Sequence, residues 1–317
     1  MQRSRFLVLC ASVVGASGLL LMKSPEGSGR TPCAPRSDEC EEAADALLNV
    51  NINEANADYW IAIANCLNDD DDFDDCEEAA SDALQEALAL AQEQFDARVD
   101  ACALLGGGPY DPDLDEEDFS TTIDNSYLPF KPGRTLIYEK QTADGLETVK
   151  VKTLKENGIV EIDGFSCRAV QDTVDLNGQL VEDTTDWYAQ DEDGTVWYFG
   201  ELAKNYDEDG FLDNLDGSWR TGRQNAKPGI VMKAHPAVGD FYRQEFFVNE
   251  AEDLARVVAL DETVTVPYGT FKHCIQIEES APLEPGHVTQ KFYAAGTGLV
   301  LEVSADGTRT ELVKIKK

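Results

Sequence analysis

Three histidines, His235, His273 and His287, are the side chains of this 317-residue chain best suited to proton transfer near neutral pH. Each stands alone in sequence. A catalytic triad could still gather one in space, because its members need not be adjacent. No Gly-x-Ser-x-Gly nucleophile turn, His-Glu-x-x-His pair or phosphate-cradling glycine loop accompanies them. His273 precedes Cys274, a pair that could hold a metal, but Cys274 reads better as a disulfide partner. Carboxylates are so abundant that an acid pair for glycoside hydrolysis could be drawn almost anywhere, which empties that signal. An unassigned hydrolase therefore ranks third, behind two kinds of non-enzymatic protein.

The acidic loop NDDDDFDDCEE, residues 68–78, has the carboxylates that calcium requires. Its spacing departs from the EF-hand pattern, with Phe73 where glycine is needed and Ala79 where glutamate is needed. Two DEDG segments, 191–194 and 207–210, also look like calcium loops, yet neither completes the D-x-D-x-D-G pattern. Solvation and turn chemistry explain all three. No cofactor is expected. Calcium is the one cation these loops would admit, with Asp70, Asp72, Asp74, Asp207 and Asp209 as its candidate ligands.

The aromatic residues sit in strand-like runs, often in adjacent pairs. Neighbouring strand residues face opposite sides of a sheet, so each pair puts a ring on each face. One face must be core. The other either packs beneath another segment or lines a cavity for an apolar ligand, and Trp187, Trp197, Phe199, Tyr242 and Phe292 are the candidates for the latter.

The chain carries 61 Asp and Glu against 26 Lys and Arg, a net charge of -35. Such a protein is repelled by phosphate backbones and anionic lipid surfaces, which excludes nucleic acid as a partner. The N-terminus combines Arg3 and Arg5 with an apolar stretch from Phe6 to Met22. Residues 1–22 therefore read as an export signal, either cleaved near Ala16-Ser17-Gly18 or retained as an anchor, the chain's one route to a membrane. The expected location is the periplasm, cell surface or extracellular space.

Export lets cysteines pair. "CEEAA" occurs at 40–44 and again at 76–80, and each copy is followed by a second cysteine at the same distance, Cys66 and Cys102. Both segments are rich in Ala, Leu and Glu, lack Gly and Pro, and repeat apolar residues at helical spacing. Two equal helices joined by a short loop pack antiparallel, so Cys40 meets Cys102 and Cys66 meets Cys76. Cys33 is left over, and Cys167 with Cys274 would make a third disulfide. Residues 31–118 hold about 26 acids, counted from the sequence, with only Arg36 and Arg98 as bases.

These features predict an α+β protein. A disulfide-stapled antiparallel α-hairpin spans 33–105, an acidic linker 106–130, and an antiparallel β domain 131–317. Asp144-Gly145, Asn157-Gly158, Asn177-Gly178, Asp193-Gly194 and Asp306-Gly307 mark tight turns between strands. About ten strands in succession imply a meander that curls into a curved sheet or half-open barrel to hide its edges. Residues 250–260 fit either a strand or a short helix.

TIDNSYLPFKPG, DWYAQDEDGTVWYFGE, VGDFYRQE, VTVPYGTFKHC, PLEPG and YAAGTGLVLEV resemble a family of exported bacterial proteins of unassigned function, over about residues 118–304. YAAGTGLVLEV is also similar to the last strands of envelope lipoproteins with a lipid-carrier type of curved sheet. The resemblance brings no catalytic residues. It points to an exported binding protein whose β domain holds an apolar, lipid-like small molecule. The alternative is a cell-surface module whose acidic helical arm meets another envelope protein.

Overall fold

The protein is described here by a computed structural model covering residues 39–68 and 73–317. The expected signal, Cys10, Cys33, Asp70 and Asp72 lie outside the described residues. Helix α1 (Glu39–Cys66) and helix α2 (Phe73–Leu105) form the hairpin. Each carries acids in its first turn, where the helix dipole favours them. Ala44, Leu48, Ile52, Ala55, Tyr59 and Ile63 turn inward, as do Ala80, Leu84, Ala87, Ala91 and Phe95. Asn51 crosses between the helices to donate to Gln94 Oε1 at 2.7 Å. Cys40–Cys102 and Cys66–Cys76 staple the two ends, with Cα separations of 5.7 and 5.8 Å. The equal Cys-to-Cys spans have this consequence.

Sixteen strands among the described residues form one antiparallel sheet. The first wing comprises β1 (Phe119–Ser120), β2 (Thr135–Gln141), β3 (Leu146–Thr153), β4 (Ile159–Ile162), β5 (Phe165–Leu176), β6 (Gln179–Asp191), β7 (Val196–Tyr206), β8 (Leu212–Asn214), β9 (Trp219–Arg220) and β10 (Gly229–Met232). The second comprises β11 (Phe241–Arg243), β12 (Leu254–Val266), β13 (Gly269–Ser280), β14 (Val288–Ala294), β15 (Gly298–Val303) and β16 (Arg309–Lys316). The order is β10-β7-β6-β5-β3-β2-β16-β15-β14-β13-β12-β11, with the short strands β1, β4, β8 and β9 on its fringe. Residues 250–260 resolve mostly as the start of β12.

Four of the five expected turn dipeptides join successive strands. Asn177 and Gly178 both have positive φ, 52° and 87°, as a two-residue turn between β5 and β6 requires. Asn157-Gly158 instead closes a short 3-10 turn before β4.

Each wing is a meander, and the pairing of β2 with β16 fuses them at the middle of the sheet. The sheet then curls without closing into a barrel. Its two outer ends meet through an isolated bridge between Lys227 and Phe246. The space between the wings is packed: Val170, Val196 and Met232 from the first wing touch Tyr242, Val257, Ile275 and Ile277 from the second.

Cys167 and Cys274 do not form the expected disulfide; both are free and buried. Cys167 lies on β5 with Ile162 and Phe199, while Cys274 lies on β13 with Val264 and Leu301. Those strands belong to different wings and are not neighbours in the sheet. The expected linker is also only partly a linker. Ile123 and Phe130 join the core between the wings, and β1 pairs with β6.

At the seam between the outer ends, a Cβ on Gly229 would lie 2.0 Å from Gln244 O. Backbone cannot retreat there without parting the Lys227–Phe246 bridge. Gly229→Ala should therefore lower stability by about 1–3 kcal/mol, within the range of overpacked sites. Urea denaturation will measure this, and hydrogen exchange should localise the loosening to residues 227–246.

Candidate functional site: a carboxylate-lined interior and a docked hairpin

Alternation decides what enters the space between the wings. On β6, Tyr188 and Asp186 point inward while Trp187 and Ala189 point outward; on β7, Val196 and Tyr198 point inward while Trp197 and Phe199 point outward. The inward set is not purely apolar. Asp186, Glu201, Glu245 and Glu302 are all buried.

Tyr198 Oη lies 2.7 Å from Asp186 Oδ1 and 2.9 Å from Glu201 Oε2. A phenol has one proton to donate. Two hydrogen bonds to two carboxyl groups therefore require one of the acids to be protonated. Burial drives the same result, pushing Asp186 up to about 7 and Glu201 well above the ordinary carboxyl range, the latter helped by its neighbour Asp186. Burial, with Asp253 and Asp186 nearby, also raises Glu245 well above its usual range, and Asp253 is raised to about 7 by burial and by Glu279. Glu245 Oε2 and Asp172 Oδ1 are buried without a hydrogen-bond partner among the described residues. An ionised carboxylate in that state would be costly, and protonation removes most of the cost.

Lys291 stands among these acids, 2.5 Å from Glu279 Oε2 and 3.9 Å from Glu302 Oε2. Burial works against its charge, but Glu279, Tyr293 and Glu302 outweigh burial and hold the ammonium protonated. The interior is thus a proton-holding acidic network, closed off by packing.

The hairpin is fixed to this body by Arg98, one of the two bases in residues 31–118. Arg98 Nε donates to Glu252 Oε2 at 2.8 Å, with both side chains almost fully buried. Arg98 Nη2 also donates to Asn249 Oδ1 at 3.2 Å. Gln94 Nε2 donates to Leu283 O at 2.9 Å, and the Arg243 guanidinium lies over the Tyr110 and Phe246 rings. The Cys40–Cys102 end is therefore docked. At the other end Trp60 is 65% exposed and Leu67 is 68% exposed.

The expected site residues do not converge on one cavity. Trp187, Trp197 and Phe199 pack together on the outer face, beneath Leu114 and Phe119. Tyr242 belongs to the core between the wings, and Phe292 packs against a further cluster around Leu301 and Leu312. The aromatic pairs do put a ring on each face, but both faces are covered. A surface groove of about 470 Å³, lined by Gln141, Leu146, Pro267, Asp306 and Arg309 among others, includes none of these aromatics.

Asp207 spends its Oδ1 on the backbone N–H groups of Asp209 and Phe211, at 3.0 and 2.8 Å. Asp74 lies in the first turn of α2. Among the described residues no three His, Cys, Asp or Glu side chains are arranged to hold a metal ion. His273 Nδ1 meets Asp261 Oδ1 at 2.5 Å, with both side chains mostly exposed.

Sequence reasoning missed the buried acids and the Arg98–Glu252 pair. The isolation of Arg98 in an acidic segment was the available signal for the pair. For the buried acids strand parity singles out Asp186 on β6, but Glu201 follows a bulge and Glu245 lies outside the strands.

No family model and no curated protein matches the chain. A solved structure, that of a "putative lipoprotein" from Parabacteroides distasonis ATCC 8503, aligns with 61% of this chain and all of its own, at 14% identity and a TM-score of 0.33. A likeness at that score carries no argument. The two disulfides fit an exported protein. No helix among the described residues is long and apolar enough to cross a membrane.

Two outcomes follow from this geometry. In the unfolded chain the interior acids ionise near pH 4. In the folded chain Asp186 and Asp253 keep their protons to about pH 7. Their stabilising contribution is complete below about pH 4 and drains away as pH rises towards about 7. The denaturation midpoint should therefore be higher at pH 5 than at pH 8. Asp186→Asn, which stays neutral, should flatten that slope; a profile parallel to wild type would assign the slope to surface repulsion instead.

For the hairpin, Glu252→Gln removes the carboxylate that neutralises Arg98. It should cost about 3–5 kcal/mol, as breaking a buried pair does. Limited proteolysis within residues 104–118 should then run faster than in the wild type.

Proposed function

We propose that this is an exported, non-enzymatic interaction protein in which the β domain is a filled, rigid body and the helical hairpin is the surface it offers to a partner. The observation that carries this reading is the contrast between the two ends of the hairpin. One end is locked to the β domain by the buried Arg98–Glu252 pair, and the other displays Trp60 and Leu67 to solvent. A large aromatic held out on a stapled helix is a rigid contact that loses little freedom on binding. The reading is favoured over an apolar-ligand carrier because Trp187, Trp197, Phe199, Tyr242 and Phe292 are spread over separate packed clusters. The expected partner is another protein of the same envelope or cell surface.

A photo-crosslinking residue placed at Trp60 tests this in the producing cells, with the same residue at Val238, which is also well exposed, as the β-domain control. The Trp60 position should give a discrete crosslinked protein and the Val238 position none. The reverse pattern, or a lipid-sized mass retained by the purified protein in native mass spectrometry, would transfer the function to the β domain.

A further inference from the structure

Helix α1 is apolar on two opposite faces. Its inward face packs on α2. A second stripe, Ala46, Val50, Asn53, Ala57, Trp60, Ala64 and, just past the helix end, Leu67, recurs at alternating steps of four and three residues, and all seven are exposed. That is the spacing of a helix-pairing seam, running over about 30 Å at the usual rise. Ile61, 57% exposed, widens it.

The charges identify what covers this seam. From Ala46 to Asn68 the only charged residues are Glu54 and Asp58, and asparagine stands at 49, 51, 53, 56, 65 and 68. Helix α2 by contrast carries nine acids, Asp74, Asp75, Glu77, Glu78, Asp82, Glu86, Glu93, Asp96 and Asp100. The chain has left acids off this one face of an otherwise acidic hairpin. A basic partner would be drawn by acids, whereas an acidic partner requires their removal. Depletion of charge around apolar anchors is also how the core of an interface differs from ordinary surface.

We infer that α1 pairs antiparallel with α1 of a second copy of this chain, a partner whose acidity is the one this seam is built to tolerate. The inference rests on the hairpin being the interaction surface and names its occupant. Residue sizes suit a register that pairs six of the seven positions. When pairs of positions sum to 117, Trp60 of one copy faces Ala57 of the other, Leu67 faces Val50, and Asn53 faces Ala64. Each large side chain meets a smaller one, as interdigitated packing demands. The contact is isologous, so both copies use the same patch and the assembly stops at two. Antiparallel pairing also sends the two acidic β domains to opposite ends, beyond the screening length of about 8 Å at physiological salt.

The test is sedimentation equilibrium of the exported protein at micromolar concentration. Wild type should be a dimer. Ala57→Glu, an exposed substitution by another good helix former, should sediment as a monomer with unchanged circular dichroism. Proteins carrying Asn53→Cys and Ala64→Cys should form a disulfide-linked pair when mixed, and neither should do so alone.

A dimer that survives Ala57→Glu, or Asn53→Cys crosslinking to itself, would overturn the inference. So would a monomeric wild type. In that case, an Ala57→Cys thiol that resists alkylation would place another part of the same chain on the seam. A freely alkylated thiol would leave the seam to a different protein, and the proposed function would then stand without self-pairing.

Discussion

One ladder makes this a single body. Strand β2, near the start of the sheet-forming sequence, pairs with β16 at its end, setting Tyr138 against Leu312 and Leu136 against Ile315. Every other long-strand pairing joins strands close in sequence, so without this one the two meanders would be separate curved ribbons with β2 and β16 as bare edges. Closing a loop of roughly 170 residues costs about 4–5 kcal/mol, since the cost grows only with the logarithm of length. Fully burying a large aliphatic side chain contributes about 1.5–3 kcal/mol. Leu136, Val149, Val300 and Leu312, all buried around this junction, are enough to outweigh it.

Bringing the wings together creates an interior, and the interior of so acidic a chain is bound to raise an electrostatic problem. The curl of the sheet takes Asp186, Glu201, Glu245 and Glu302 inward along with Val170 and Ile277; a bulge between β6 and β7 turns Glu201 in, and Glu245 lies just past β11. The fold meets this in three ways. Tyr198 bridges two of the acids, Lys291 neutralises Glu279 and approaches Glu302, and the remaining carboxyls keep their protons. An interior so occupied is neither greasy nor open. That is the physical reason for looking for function on the outside of the molecule, where the hairpin is the most distinctive surface.

What was legible in the sequence was local. Equal cysteine spans, helical periodicity and turn dipeptides depend on neighbours within a few dozen residues, and they specify the stapled hairpin, its two disulfides and a meander of close-turned strands. What failed depended on which distant strands lie side by side. Cys167 and Cys274 are the two strand-borne cysteines that the hairpin leaves over, yet β5 and β13 sit on different wings, and a disulfide needs Cα atoms within about 7 Å. The aromatic reading failed by half. Adjacent rings do face opposite ways, but the segment around Leu114 and Phe119, read as linker, covers the outer set. Buried acids were invisible for a simpler reason: among 61 carboxylates, composition gives no means of singling out the few that lose their water.

The hairpin joins these levels. A lone pair of helices has too little core to be rigid, and the two disulfides supply what packing cannot. They hold α1 and α2 to each other but leave the hairpin free to swing. Arg98 removes that freedom, because its guanidinium has left water and Glu252 is the charge that makes its burial tolerable. With α2 committed to the β domain and to one side of α1, the opposite side of α1 is left facing solvent. A helix that needed only to cover α2 would place charge on that side, as α2 does on its own exposed face. Instead α1 carries valine, alanine, tryptophan and leucine there at pairing distance, edged by asparagines. The acids missing from this face are therefore as informative as those crowded elsewhere: a chain this charged leaves a surface neutral where another acidic surface has to fit.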